Sequence, residues 1–432
     1  MTTFVHYLVL ALITHHQTLK NFMRRIFTLI LLLTIICNLT FSQTNNDDIS
    51  RYVTFVEGQQ TSAKDYILDL FKKYDIVVLC ERSHRETTQY DLIYDIVSSP
   101  FFIKNVGNIF TEKGSISNRQ NTLNFIKTKF KNDSIKQLQQ AAVYQNGSFP
   151  PLWNNTNFYE FTGKLNTLNC RLDKRSQINL LTSDTRNPTM AQRENIGTMK
   201  QYIIENLSMR DSLMASYIIN SFDSIRNNSS RKKALVIMNY RHAFSKTLSN
   251  SREVNVGDYL KRHYEDKFAN VYINGLSLTQ NLPASERNKL QMFQNGDQIP
   301  IQFGKWDAAF KLAQKENLGF DFPNSPFGKD SLDIWSLPTN NHYEDIFTGF
   351  VYYLPIGKHR LSTGVKNFFN GVDLEQIIKD WNLFNKALGK NEELKYTPEL
   401  KAGLEQEMST DKTSGYPDLE QYEIIIDQWL KK

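Results

Sequence analysis

The stretch DIVVLCERSHRETTQYDL, residues 75–92, decides the fold. Its β-branched run at 76–79 has the length and composition of a buried strand, and it stops against Glu81, Arg82, Ser83 and His84. Tyr90, Ile93, Tyr94 and Val97 then recur at i, i+3, i+4 and i+7, which predicts a helix. A buried strand that ends in charge and gives way to a helix is how a parallel strand-helix-strand unit begins.

Working outward, short apolar runs return at 106–110, 178–181, 234–238, 271–273 and 350–354, most of them followed by amphipathic segments. That alternation predicts an α/β fold, a mainly parallel central sheet with helices on both faces. After the third run, Met190, Met199 and Ile203 fall on one expected helix, opened by Pro188. In NFYEFTGKLNTLNCRL, Phe158, Phe161, Leu165, Leu168 and Leu172 mark another, where Cys170 reads as a packing residue. Residues 281–341 are richer in Pro, Gly, Asn and Asp and read as an irregular covering insertion, a lid over the crevice. The expected organisation is a leader at 1–42 and a single domain at 43–432.

In an open parallel sheet the binding crevice lies at the C-terminal strand ends, so polar residues just past the strands converge although far apart in sequence. This chain puts Glu81 and His84 after the first run, Glu112 after the second, Asp184 and Arg186 after the third, and Arg241 and His242 after the fourth. Taken singly, each has an ordinary explanation. Ser83, Asp184 and Asn239 are common caps or turn formers, and a lone Glu, Arg or His after a strand is usually a solvated or hydrogen-bonded loop residue. Two acids and two histidines at matching strand ends are harder to explain that way. His263 lies on an amphipathic helix and His359 follows a Pro-Ile-Gly turn, so both read as surface residues; His342 is ambiguous.

Composition sets the remaining bounds. The chain has 432 residues, 40% hydrophobic and 12% aromatic, enough for a large core. Of its 51 basic residues three, Lys20, Arg24 and Arg25, lie in the acid-free first 42, leaving 48 against 45 acidic. With no basic block or basic-aromatic stripe, there is little support for nucleic acid and none is expected as a partner, and nothing marks a specific protein partner. A small-molecule substrate is expected. From Met23, MRRIFTLILLLTIICNLTFSQ has signal-peptide grammar: a basic start, an apolar run at 26–37, and Ser42 with Thr40 two positions before it. The expectation is export to the periplasm with cleavage near Ser42, ahead of lipid attachment at Cys37 or a membrane anchor lengthened by residues 1–22. Only Cys80 and Cys170 would remain, which is no disulfide framework.

LCERSH resembles the Gly-Glu-x-x-His motif of the erythromycin esterase-like proteins and of the superfamily that joins them to ChaN-type haem-binding lipoproteins and Tiki/TraB proteins. FTEKG, TSDTRNPTMAQREN, NYRHA and HYEDIFTGFVYYLP are similar to that group's later motifs, in order, so the resemblance spans most of the mature chain. It implies a modified α/β fold and, in the esterase branch, cofactor-free hydrolysis of an ester by histidine-activated water. His84 would be the base, Glu81 and Glu112 would orient it or the water, and His242 would act as proton donor or oxyanion partner. Asp184, Arg186 and Arg241 would bind substrate at the rim. The Tiki-like branch implies instead a divalent metal on Glu81, His84, Glu112 and His242, and the ChaN-like branch implies haem without turnover. Cys80 stands where the group usually has Gly, and Asn239-Tyr240-Arg241-His242 lacks the usual glycine or paired His-Asn. A cysteine ending an apolar run reads as buried and inert.

Overall fold

The computed structural model describes residues 48–151, 156–248, 254–278, 298–335, 339–366, 368–409 and 412–431. The expected leader lies outside them, as does 281–297 of the expected lid. The chain divides into Met1–Ile49 and Ser50–Lys432, and the second unit holds the sheet and the site.

Its centre is a seven-stranded sheet. The strands are β1 (Ile76–Glu81), β2 (Asn108–Ser115), β3 (Asn179–Asp184), β4 (Ala234–Asn239), β5 (Phe268–Ile273), β6 (Asn317–Asp321) and β7 (Gly349–Tyr353). Their order is β3-β2-β4-β1-β5-β7-β6, parallel throughout except for the β7/β6 pair. Every residue of β1 and β5 is buried, because helices cover both faces and leave neither facing water. The six apolar runs of the sequence are the six parallel strands.

Local chemistry explains the connections. Thr88–Val97 follows β1 as the periodicity predicts. Pro100 sits in the first turn of Pro100–Asn105, with Ser99 as N-cap accepting from Phe102 N–H. Between β3 and β4 the expected helix is broken differently. Asn195, not Pro188, caps Ile196–Tyr202, accepting from the Gly197 and Thr198 amides, and Met190 is exposed. A π-turn at Ile203–Leu207 then redirects the chain into the long helix Arg210–Asn228.

The expected irregular insertion is largely built structure. Gln298–Pro300 pairs with Leu276–Leu278, Lys305–Leu312 is a helix, and β6 closes the sheet as an antiparallel edge. Trp306, Phe310, Phe322 and Phe327 are buried, so the turn residues described between 306 and 327 separate core anchors. The stretch ending at Trp335 does reach the strand ends, where the Trp335 ring meets Phe244 edge-on. Cys170 also departs from expectation: it lies just past the helix Thr156–Asn169 and is exposed.

Candidate functional site

The C-terminal ends of β1, β2 and β4 carry the cluster. Glu81 pairs in register with Asn239, and β2 runs past both. Between Thr111 and Ser115 the pairing of β2 with β3 slips, so that Ser183 alone stands opposite the stretch from Glu112 to Gly114, and Gly114 takes φ 94° within the slip. Glu112 stands in that irregular stretch, which turns its carboxylate toward β4. The Asn239 amide donates to Glu112 Oε2 at 2.7 Å.

The loop after β1 is fixed from below by its own helix. Arg82 N–H donates to Gln89 Oε1 at 2.7 Å, and Gln89 Nε2 donates to the Ser83 carbonyl at 2.8 Å. Asn239 ties the neighbouring loops together, donating through Nδ2 to the Arg82 carbonyl at 3.0 Å and accepting at Oδ1 from Arg241 N–H at 3.2 Å. His84 and His242 are thereby held on either side of Glu112.

Glu81 Oε2 lies 2.8 Å from His84 Nδ1. A carboxylate only accepts, so Nδ1 carries the hydrogen, and in the neutral ring Nε2 keeps the lone pair. That Nε2 is 3.7 Å from Glu112 Oε1. On the other side, His242 Nε2 is 3.4 Å from the same oxygen, and His242 Nδ1 donates to Asp211 at 2.8 Å. Arg210 completes the ring of charge: it donates to Glu112 Oε1 at 3.2 Å and forks onto Asp184 at 2.8 and 2.9 Å. The two carboxylates Glu81 and Glu112 are buried, whereas the imidazoles of His84 and His242 are 18% and 20% exposed. Water can therefore reach the two imidazoles but not the two carboxylates beside them.

The electrostatics follow from this packing. Burial alone would push the Glu112 carboxyl up, but His242, His84 and Arg210 outweigh it and hold the group well below its ordinary value. Burial works against charge on His242 too, yet Glu112 and then the Asp211 hydrogen bond raise it above the ordinary imidazole range. Lys113, next along β2, is pushed down to about 8 by burial, against the pull of Glu112 and Glu81.

Of the residues expected at the site, Glu81, His84, Glu112, His242 and Asp184 come together. Arg186 and Arg241 are exposed, and among the described residues no hydrogen bond joins either side chain to the cluster; Arg241 lies 5.8 Å from the Tyr240 ring centre instead. Arg210 and Asp211 were not foreseen, because they open a helix rather than follow a strand. Their adjacency at the start of an amphipathic segment was the available signal, and it reads equally well as ordinary helix-end charge. Cys80 is buried, burial pushes its thiol up, and strand alternation turns it to the face opposite Glu81.

His359 reverses its expectation. It is 2% exposed, Arg82 Nη1 donates to its Nε2 at 2.8 Å, and burial followed by the Arg82 charge holds its pKa well below the ordinary value. It belongs to a buried structural network. His263 is on the surface as expected, paired with Asp223 at 3.0 Å, and the partly exposed His342 caps Tyr343–Ile346.

No known family matches the sequence, and no curated protein does. Solved structures do show likeness. A succinoglycan biosynthesis protein is 10% identical, covering 71% of this chain and 97% of its own, with a TM-score of 0.48. The erythromycin esterase EreC, solved as a mutant in its open conformation, is 11% identical over 66% of this chain and 91% of its own, TM-score 0.38. ChaN of Campylobacter jejuni, solved with cofacially bound haem, is 15% identical over 49% and 85%, TM-score 0.30. These likenesses concern the fold and bring no activity with them.

Proposed function

We propose that this chain is an exported hydrolase that cleaves an ester, or a related acyl bond, with water activated at His84. The observation that carries the reading is the Glu81–His84 pair, 2.8 Å long, which leaves Nε2 as a solvent-reachable base beside Glu112. In the proposed step, Nε2 takes a proton from water as the oxygen attacks the carbonyl, and Glu81 stabilises the imidazolium formed. His242, anchored on Asp211, returns a proton to the leaving oxygen. Arg210, about a fifth exposed, supplies positive charge where the oxyanion develops.

A second reading has a specific observation behind it. Glu81, His84 and Glu112 offer ligand atoms within 4.8 Å of one another, the two carboxylates buried and the imidazole partly exposed. A divalent ion of oxygen and nitrogen preference suits that donor set and would polarise a substrate carbonyl when bound. His242 suits it less, since Arg210 Nη1 lies 3.1 Å from its Nε2 and already occupies that side with a cation.

Turnover of p-nitrophenyl esters by the purified mature chain separates the readings. We expect activity that survives chelation, falls by about 10²–10⁴-fold in His84→Ala, and falls less in Glu81→Gln, whose amide still bonds but carries no charge. Loss on chelation with recovery on adding Zn²⁺ or Mn²⁺ would favour the metal reading. A Soret band on haem titration without any turnover would move the protein to a binding role. N-terminal sequencing of protein secreted from an expressing bacterium tests export, with Gln43 as the expected first residue.

A further inference from the structure

A cavity of about 430 Å³ opens beside the β7/β6 edge, away from the histidine cluster, with Asp307 at its lining and Phe310, Tyr352, Ile356 and Ile426 among its walls. Phe310 and Tyr352 stack face to face with ring centres 3.8 Å apart and planes 6° from parallel, so they line the cavity as one rigid aromatic pair. Four charged side chains sit at the lining besides Asp307: Lys311 pairs with Asp427 at 2.7 Å and Glu316 with Lys358 at 2.5 Å, while Lys315 and Glu423 offset one another in charge. Asp307 is different. It is 8% exposed, accepts from the Tyr352 hydroxyl at 2.9 Å, and has no ion-pair partner among the described residues. The buried guanidinium whose charge acts on it, Arg82, is spent on Glu86, His359, Asn274 and the Tyr353 carbonyl. A buried carboxylate without a cation is costly unless something supplies one. Burial raises its pKa to about 6, which still leaves it ionised at neutral pH.

We propose that this cavity is a second binding site, for a small primary amine with a flat apolar body, whose ammonium meets Asp307 while the body lies along Phe310 and Tyr352. Shape, aromatic wall and uncompensated carboxylate all select that combination. An alcohol of the same shape lacks the charge, and a carboxylic acid would meet Asp307 as a like charge. The site rests on none of the residues assigned to hydrolysis.

Calorimetric titration of the full chain with phenethylamine tests it, with phenethyl alcohol as the uncharged control. The expected result is saturable, submillimolar binding of the amine and at least tenfold weaker binding of the alcohol. Asp307→Asn, which still accepts from Tyr352, should weaken the amine at least tenfold and leave the alcohol unchanged. Gly357→Leu fills the mouth, where a Cβ would meet nothing nearer than Glu423 Oε1 at 3.5 Å. It should abolish binding of both without lowering the melting temperature, which keeps the test decisive should the Asn variant fold poorly. Amine affinity should also fall as pH drops through about 6 and Asp307 gains a proton; the other charged or titratable groups facing it are Tyr352, Arg82, Lys311, Lys315, Glu316 and Glu423. His84→Ala should bind as well as the parent chain, so a failure of the hydrolase reading leaves this one standing. Equal affinities for amine and alcohol, an unaffected Asn variant, or no saturable heat would overturn it.

Discussion

Glu112 Oε1 is the atom on which the cluster turns, since both histidine Nε2 atoms and Arg210 Nη2 address it. An ionised carboxylate in that position favours protonated His242 and accepts its Nε2–H; when the ring is neutral, Nε2 can instead accept from Arg210 Nη1 at 3.1 Å. Asp211 strengthens the first state from the Nδ1 side. Because the folded-state pKa of His242 is raised, its stabilising contribution is fully present below the unfolded imidazole value and is lost as pH rises through the folded one. Asp211→Asn should therefore lower the His242 pKa and bring the alkaline fall in activity to lower pH. Titrating the imidazole ring protons by NMR measures this without any substrate, and an unmoved His242 curve would rule out the anchoring role given to Asp211.

Elements, rather than single residues, hold these groups in register, and Val256–Tyr264 shows how. Its Gly257 lies so close to the loop carrying His242 that a Cβ would stand 2.5 Å from the Ala243 and Phe244 carbonyl oxygens. The Val256 amide also donates to Asp211 Oδ2 at 3.3 Å, so the same helix end steadies the histidine's partner. Gly257→Ala should push the loop away, costing about 1–3 kcal/mol of stability and at least tenfold in ester turnover; unfolding in urea and initial rates on one preparation check both. The sequence exposed the parallel strands because burial on both faces writes continuous apolar runs. It hid β6, an edge strand of five residues in which only Leu318, Gly319 and Phe320 are buried. It hid Arg210 and Asp211 because a π-turn, not a strand, aims them at the cleft. His359 was misread for another reason: its partner Arg82 is 277 residues away, and no local pattern records such a contact.

At the scale of the whole molecule, the two kinds of charge at the end of β1 do different work. Arg82 is 4% exposed, and its guanidinium joins the β1 loop to Glu86 at 3.1 Å, to Asn274 beyond β5 at 2.9 Å, to the last carbonyl of β7 at 2.6 Å and to His359 at 2.8 Å. It is a cross-brace from the middle of the sheet to its far side. Removing it leaves Glu86 as a buried carboxylate without its cation and strips the donor from three other groups. For one broken buried pair the cost is about 3–5 kcal/mol, a large part of the stability of an ordinary domain. Two residues along, the His84 side chain is 18% exposed at the surface of the cleft, where it meets Glu81 at 2.8 Å, so its truncation empties space that water already reaches. Arg82→Ala should accordingly lower the urea midpoint sharply and lose turnover through unfolding, whereas His84→Ala should keep the parent midpoint while losing turnover. A His84→Ala chain as unstable as Arg82→Ala would mean that the histidine is part of the brace and not a base held ready at its edge.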